Sequence, residues 1–122
     1  MSTELLAVRP DRSLTDGEAA LLLELLPPER RERLLWQAEQ REPLCAYGLL
    51  LLALRRRLGW RSLPPVARGP AGKPFFPDFP EVHWNLSHTA GAVLAGVSDR
   101  PLGVDIERFR PVTPRLLRRL GA

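Results

Sequence analysis

The stretch V-H-W-N-L-S-H-T-A-G-A-V-L-A-G-V-S-D-R-P-L-G-V-D-I-E, Val82 to Glu107, decides what kind of fold this chain adopts. Three apolar-rich segments, Val82 to Ser87, Ala92 to Val97 and Leu102 to Glu107, are separated by Ala90-Gly91 and by Ser98-Asp99-Arg100-Pro101. Both separators are turn material, so the spacing predicts a meander of three strands. In the last segment Leu102, Val104 and Ile106 alternate with Gly103, Asp105 and Glu107, the period of a half-buried strand. Successive strand side chains point to opposite faces, which brings Asp105 and Glu107 out together on one side. Two carboxylates set that way suit a hard divalent cation, and Mg²⁺ commonly takes one or two carboxylates plus substrate phosphates. Taken alone, a D-x-E pair on a strand faces water more often than metal.

Upstream the pattern is helical. Pro43 to Leu58 carries Leu44, Tyr47, Leu51, Leu54 and Leu58 at helical spacing and stops at Gly59, a natural residue just past a helix end. It is the expected core helix, and Arg55, Arg56 and Arg57 in its last turn complement the helix dipole. Two shorter helices precede it. One covers Ala19 to Leu26, with Thr15 and Glu18 spaced as a capping box. The other runs from about Glu29 to Gln40 after Pro27-Pro28. In it Arg30 and Arg33 share a face, either as a solvated charged surface or as a cationic pad for phosphate. Leu5 to Val8 reads as a short edge strand. Ser62 to Pro80, rich in proline, reads as loop, and Val112 to Leu120 as a last helical piece with Thr113 as cap and Pro114 in its first turn. The whole predicts an α+β lobe, a small, mainly antiparallel sheet packed on one long helix.

Composition narrows the class. The chain has 122 residues with 44% apolar content, enough for one domain. Cys45 is the sole cysteine, so no internal disulfide forms, and its apolar surroundings predict a buried, inert thiol. No signal peptide is evident, and the apolar run Leu44 to Leu54 is shorter than the roughly 20 residues that span a bilayer. A cytoplasmic protein without a membrane partner is expected. Net charge is +4, and arginine supplies 17 of the 18 basic residues, Lys73 being the other. That balance favours anionic partners. Nucleic acid is not expected, because the arginine run has a helix-terminus explanation and no aromatics are interleaved with it.

Four motifs occur in a fixed order: G-K-P-F at Gly72 to Phe75, W-N-L-S-H-T at Trp84 to Thr89, an apolar strand, and G-V-D-I-E at Gly103 to Glu107. With P-E-R-R-E-R at Pro28 to Arg33 and the helix around Ala46-Tyr47-Gly48-Leu49-Leu50, this order resembles the N-terminal half of the surfactin-synthetase-type 4′-phosphopantetheinyl transferases. Such enzymes move the phosphopantetheine arm of coenzyme A onto a serine of an acyl or peptidyl carrier protein. The resemblance implies Mg²⁺ on Asp105 and Glu107, with His88 joining these two in the catalytic set. It places Lys73, Ser87 and His88 on coenzyme A phosphates, and Arg30 and Arg33 near the 3′-phosphate. Ser87 and His88 are neighbours, so a strand end or local bend is needed for both to reach one ligand.

The chain also departs from the family pattern. Members have two similar lobes with the active site between them, and a W-x-x-K-E-A-x-x-K helix in the second. Nothing here matches that helix, since Trp36, Trp60 and Trp84 all precede the metal motif. Many members carry arginine where Tyr47 and Leu51 stand. The expectation is therefore one lobe, residues 1–122: an N-terminal fragment, a truncated gene product, or one member of a split enzyme that completes its site with a separate C-terminal lobe or by self-association. The alternatives are a non-catalytic fragment that binds coenzyme A or a carrier protein, and a basic domain that binds nucleic acid through Arg55 to Arg57.

Overall fold

The computed structural model describes residues 3–8, 16–35, 41–89, 92–99 and 110–121. Its organising element is helix α3, Arg41–Leu58, which follows α1, Asp16–Glu24, and α2, Pro28–Leu35. Leu49 to Leu54 are all buried, and Leu44 and Cys45 with them. A single amphipathic stripe cannot hide six successive positions, so α3 must be covered on more than one side. A sheet touches it on one side, and α1 and the C-terminal helix α4, Pro114–Arg118, also contact it. The expected apolar stripe is thus wider than the spacing predicts at its centre and narrower at its ends. Tyr47 is only partly buried, and Leu58 is exposed. Gly59 ends the helix with φ at +74° and donates its N–H to the Arg55 carbonyl.

The sheet has four strands in the order β4-β5-β1-β6. Strands β4, His83–Thr89, and β5, Ala92–Ser98, form an antiparallel pair in one-to-one register, from His83 opposite Ser98 to Thr89 opposite Ala92. The other edge of β5 takes β1, Glu4–Val8, also antiparallel, with Glu4 opposite Val97 and Val8 opposite Val93. Beyond it lies β6, Arg110–Val112, parallel to β1. Two expectations are corrected here. Leu5 to Val8 is an interior strand, because β6 returns from a distant part of the chain to pair with its free edge. The hairpin Val82 to Val97 is present, but the second neighbour of β5 is β1, so the strands do not follow one another as a simple meander. Leu102 to Glu107 lies outside the described residues, as does the Thr15 cap.

Two further corrections concern smaller pieces. Within the stretch read as loop, β2, Ala67–Arg68, and β3, Pro74–Phe75, form a two-stranded ribbon. Val112 ends a strand rather than opening a helix. The helix starts at Pro114, with Thr113 in the cap position but without a side-chain cap hydrogen bond. A 3₁₀ turn, Arg119–Gly121, follows. Among the described residues no helix is long and apolar enough to cross a membrane.

One polar contact ties the helix end to the sheet. Glu4 is 5% exposed, and its two carboxylate oxygens lie 2.9 Å from Arg56 Nε and 2.9 Å from Arg57 Nε. Arg57 also donates to the Thr3 carbonyl at 3.2 Å. Arg55 donates instead to carbonyls, those of Trp60 at 3.2 Å, Arg61 at 3.0 Å and Leu120 at 3.2 Å. The arginine run is therefore engaged inside the fold, beyond its effect on the helix dipole.

Two stability predictions follow from this packing. A Cβ on Gly48 would sit 3.6 Å from Leu117 and 3.7 Å from Leu120, ordinary contact distances. Gly48→Ala should therefore raise stability by about 0.5–1 kcal/mol in urea unfolding, because glycine disfavours helix interiors. Glu4→Gln should lower it by about 1–2 kcal/mol, below the cost of breaking a fully buried pair because both arginines reach solvent. An unchanged midpoint in the same titration would mean that Glu4 is not a tether.

Candidate functional site

Lys73 sits in the turn of the β2–β3 ribbon, and the sequence there explains why it is presented outward. Gly69 donates to the Lys73 carbonyl and Gly72 to the Gly69 carbonyl, both at 2.9 Å, which closes a tight loop. Gly72 has φ at +82°, a conformation that costs any L side chain strain, so glycine is required at that place. Arg68 locks the loop by donating to the Gly72 carbonyl at 2.9 Å. With its backbone held, Lys73 is exposed at the rim of a cleft of about 220 Å³. Pro74, Phe75, Pro80, Val82, His83 and Trp84 form the rest of the wall, with Gly69. Pockets for whole small ligands run to about 300–1,000 Å³, so this cleft holds one end of an extended ligand.

The cleft has a rigid floor. Phe76 is fully buried, stacked on Trp84 with ring centres 5.0 Å apart, and it meets Trp60 at 5.6 Å. Trp60 in turn meets Phe79 at 4.7 Å. These contacts hold the proline-rich segment against β4 and the end of α3. Aromatic pairs add about 0.5–1.5 kcal/mol each beyond area burial, enough to order a loop with little secondary structure.

The remaining candidates are spread along the lobe. Ser87 is exposed on β4, on the same strand face as Asn85, and His88 is the last residue but one of that strand. The β4–β5 register runs one to one, without a bulge, through Ser87 and His88. Four residues separate His83 at the cleft from Ser87, roughly 13 Å along an extended strand. Arg30 lies on α2 and is 8% exposed, with its guanidinium carbon 5.7 Å from the centre of the Tyr47 ring on α3. Its Nε is buried without a hydrogen-bond partner, and so is the Nε of Arg31. Arg33 is on the same helix. Trp84 pairs with Val97 and Val97 with Glu4, which puts the cleft at the Arg56–Arg57 end of α3. Tyr47 stands ten residues before Arg57, on the order of 15 Å back along the helix axis. The structure thus joins Lys73 to His83 and Trp84, and Arg30 to Tyr47, at separate places on one lobe.

Asp105 and Glu107 lie outside the described residues. Among the described residues no group of three or more His, Cys, Asp or Glu converges on a metal-sized site. Cys45 is buried, as its apolar neighbours predict. Sequence reading missed Arg31, Tyr47 as the support of Arg30, and the cleft wall from Pro80 to Trp84. An arginine and an aromatic seventeen residues apart on different helices give no periodic signal that links them.

No protein-family model matches this chain. It is, however, similar over 89% of its length to two curated proteins: 27% identical to the 4′-phosphopantetheinyl transferase Sfp of Bacillus subtilis (strain 168), and 28% identical to another 4′-phosphopantetheinyl transferase of Bacillus subtilis. The chain spans about half the length of these relatives, 50% in each case. A shorter match of 42 residues reaches 43% identity with the 4′-phosphopantetheinyl transferase ffp of Bacillus subtilis, covering 34% of this chain and 19% of that protein. The similarity is therefore to Sfp-type 4′-phosphopantetheinyl transferases, with an extent consistent with one N-terminal half. The mixed α/β lobe, with its small sheet and helices, is compatible with that assignment.

The ribbon turn generates its own prediction. Gly72→Ala should lower stability by about 1–2 kcal/mol, the strain of a left-handed L residue. Because the strain falls on the Lys73 turn, any anion bound there should weaken as well. Equal stability of the variant in thermal unfolding would show that the turn relaxes without cost.

Proposed function

We propose that this chain is one lobe of a 4′-phosphopantetheinyl transferase, acting on coenzyme A and on a serine of an acyl or peptidyl carrier protein. The observation that carries this reading is similarity to transferases along 89% of the chain, over which the ordered motifs at Lys73, Ser87-His88 and Asp105-Glu107 are distributed. Coenzyme A is an extended anion with a diphosphate and a 3′-phosphate. Cations at Lys73 and Arg30, separated along the lobe, suit such a ligand better than a compact one.

In the reaction proposed, the carrier serine Oγ forms a bond to the phosphorus that bears the pantetheine arm. The diphosphate P–O bond to the adenosine side breaks, and adenosine 3′,5′-bisphosphate leaves. The serine proton passes to a base or to water. Asp105 and Glu107 are the groups that would hold Mg²⁺, and the fit rests on the chemistry of the donors, two hard carboxylate oxygens one residue apart. Bound there, the ion would supply charge neutralisation at the diphosphate. The chain's own residues bind and orient. Lys73 and Ser87 take phosphate oxygens by charge-assisted hydrogen bonds, His88 adds a further donor, and Arg30 and Arg33 take the 3′-phosphate. A site of this kind works by positioning and electrostatics, so the lobe that completes it must hold the carrier in line.

The test is intact mass spectrometry of an apo carrier protein incubated with this chain, coenzyme A and Mg²⁺, alone and with a complementary second lobe. The expected outcome is a gain of one phosphopantetheine arm when both lobes are present, lost with Asp105→Ala. A carrier that stays apo under every condition, together with a folded chain that binds coenzyme A no better than Lys73→Ala does, would overturn the reading.

A further inference from the structure

Arg30 is held in an unusual way. It is more than nine-tenths buried, its Nε has no hydrogen-bond partner, and the contact the structure gives its guanidinium is with the face of Tyr47, 5.7 Å away. A buried cation with an unpaired N–H carries a desolvation cost that an aromatic face offsets only in part. Such a group is well set to receive an anion, because the missing hydrogen bonds are then formed by the ligand. The ring fixes where they point. An arginine on the short helix α2 has many rotamers, and a flat ring on the longer, well-packed α3 selects the one in which the guanidinium lies over it.

From this geometry we propose that Tyr47 is a positioning residue: its ring holds the Arg30 guanidinium so that the unpaired N–H edge meets a phosphate of the bound ligand. This rests on the functional reading above, in which Arg30 faces the 3′-phosphate of coenzyme A.

The experiment is calorimetric titration of coenzyme A, and of its 3′-dephospho form, into the chain and three variants. Tyr47→Leu should weaken coenzyme A by about three- to ten-fold, the size of a partly desolvated cation–π contact. Tyr47→Phe, which keeps the ring, should restore most of that affinity. In an Arg30→Ala background the Tyr47→Leu effect should disappear, and against the dephospho form it should be small. An Arg30 Nε–H resonance shifted by the ring current in the unmodified chain, and lost in Tyr47→Leu, would report the geometry without any ligand. Unchanged affinity in Tyr47→Leu, or an equal loss in the Arg30→Ala background, overturns the positioning role while leaving the functional reading intact. A folded chain that binds neither form overturns that reading, and this proposal with it.

Discussion

Everything in this lobe hangs on burying a helix whose central stretch is apolar all round. From Leu49 to Leu54 every side chain of α3 is buried, so the helix has to be wrapped. A sheet face and the helices α1 and α4 do this together. At about 1.5–3 kcal/mol for each fully buried large aliphatic side chain, this one helix outweighs any polar contact in the structure. The Glu4 tether to Arg56 and Arg57 adds little energy by comparison. It sets direction, joining the last turn of α3 to the first residue of β1.

That rigid centre explains how loops carry the candidate site. The cleft beside Lys73 belongs to a segment with six prolines and a ribbon of two residues per strand. It is ordered because Phe76 is driven into the core between Trp60 and Trp84, and because the ribbon turn is closed by backbone hydrogen bonds. On the other side, α2 is short and charged, and Arg30 on it lies over the ring of Tyr47 on the well-packed α3. In both places a cation is mounted on something stiff. Such mounting limits the ordering cost that any bound anion would otherwise meet at those side chains.

The site legible in the sequence was a set of residue types, and it was legible through motif order. Lys73 in G-K-P-F, Ser87 and His88 in N-L-S-H-T, and Arg30 in P-E-R-R-E-R are candidates for phosphate contact through the motif order alone. Their mutual arrangement could not. The one-to-one pairing of β4 with β5 shows no bulge at Ser87 or His88, and the cleft wall contributed by Pro80 and Val82 has no motif of its own. Asp105 and Glu107 keep the standing that alternation and donor chemistry give them.

Local signals settled the local structure. The helical span of α3, its stop at Gly59, the helix start at Pro114, the β4–β5 hairpin and the buried Cys45 all follow from periodicity, glycine and proline chemistry, and hydropathy, which act over a few residues. Pairings between distant segments were decided only by the tertiary structure. β1 became an interior strand because β6, about a hundred residues later, lies parallel to it. The arginine run found Glu4 and the Leu120 carbonyl, and Arg30 found Tyr47. The physical reason is the same in each case. A partner far along the chain is chosen by which faces remain to be covered once α3 is buried, and no window of sequence contains that information.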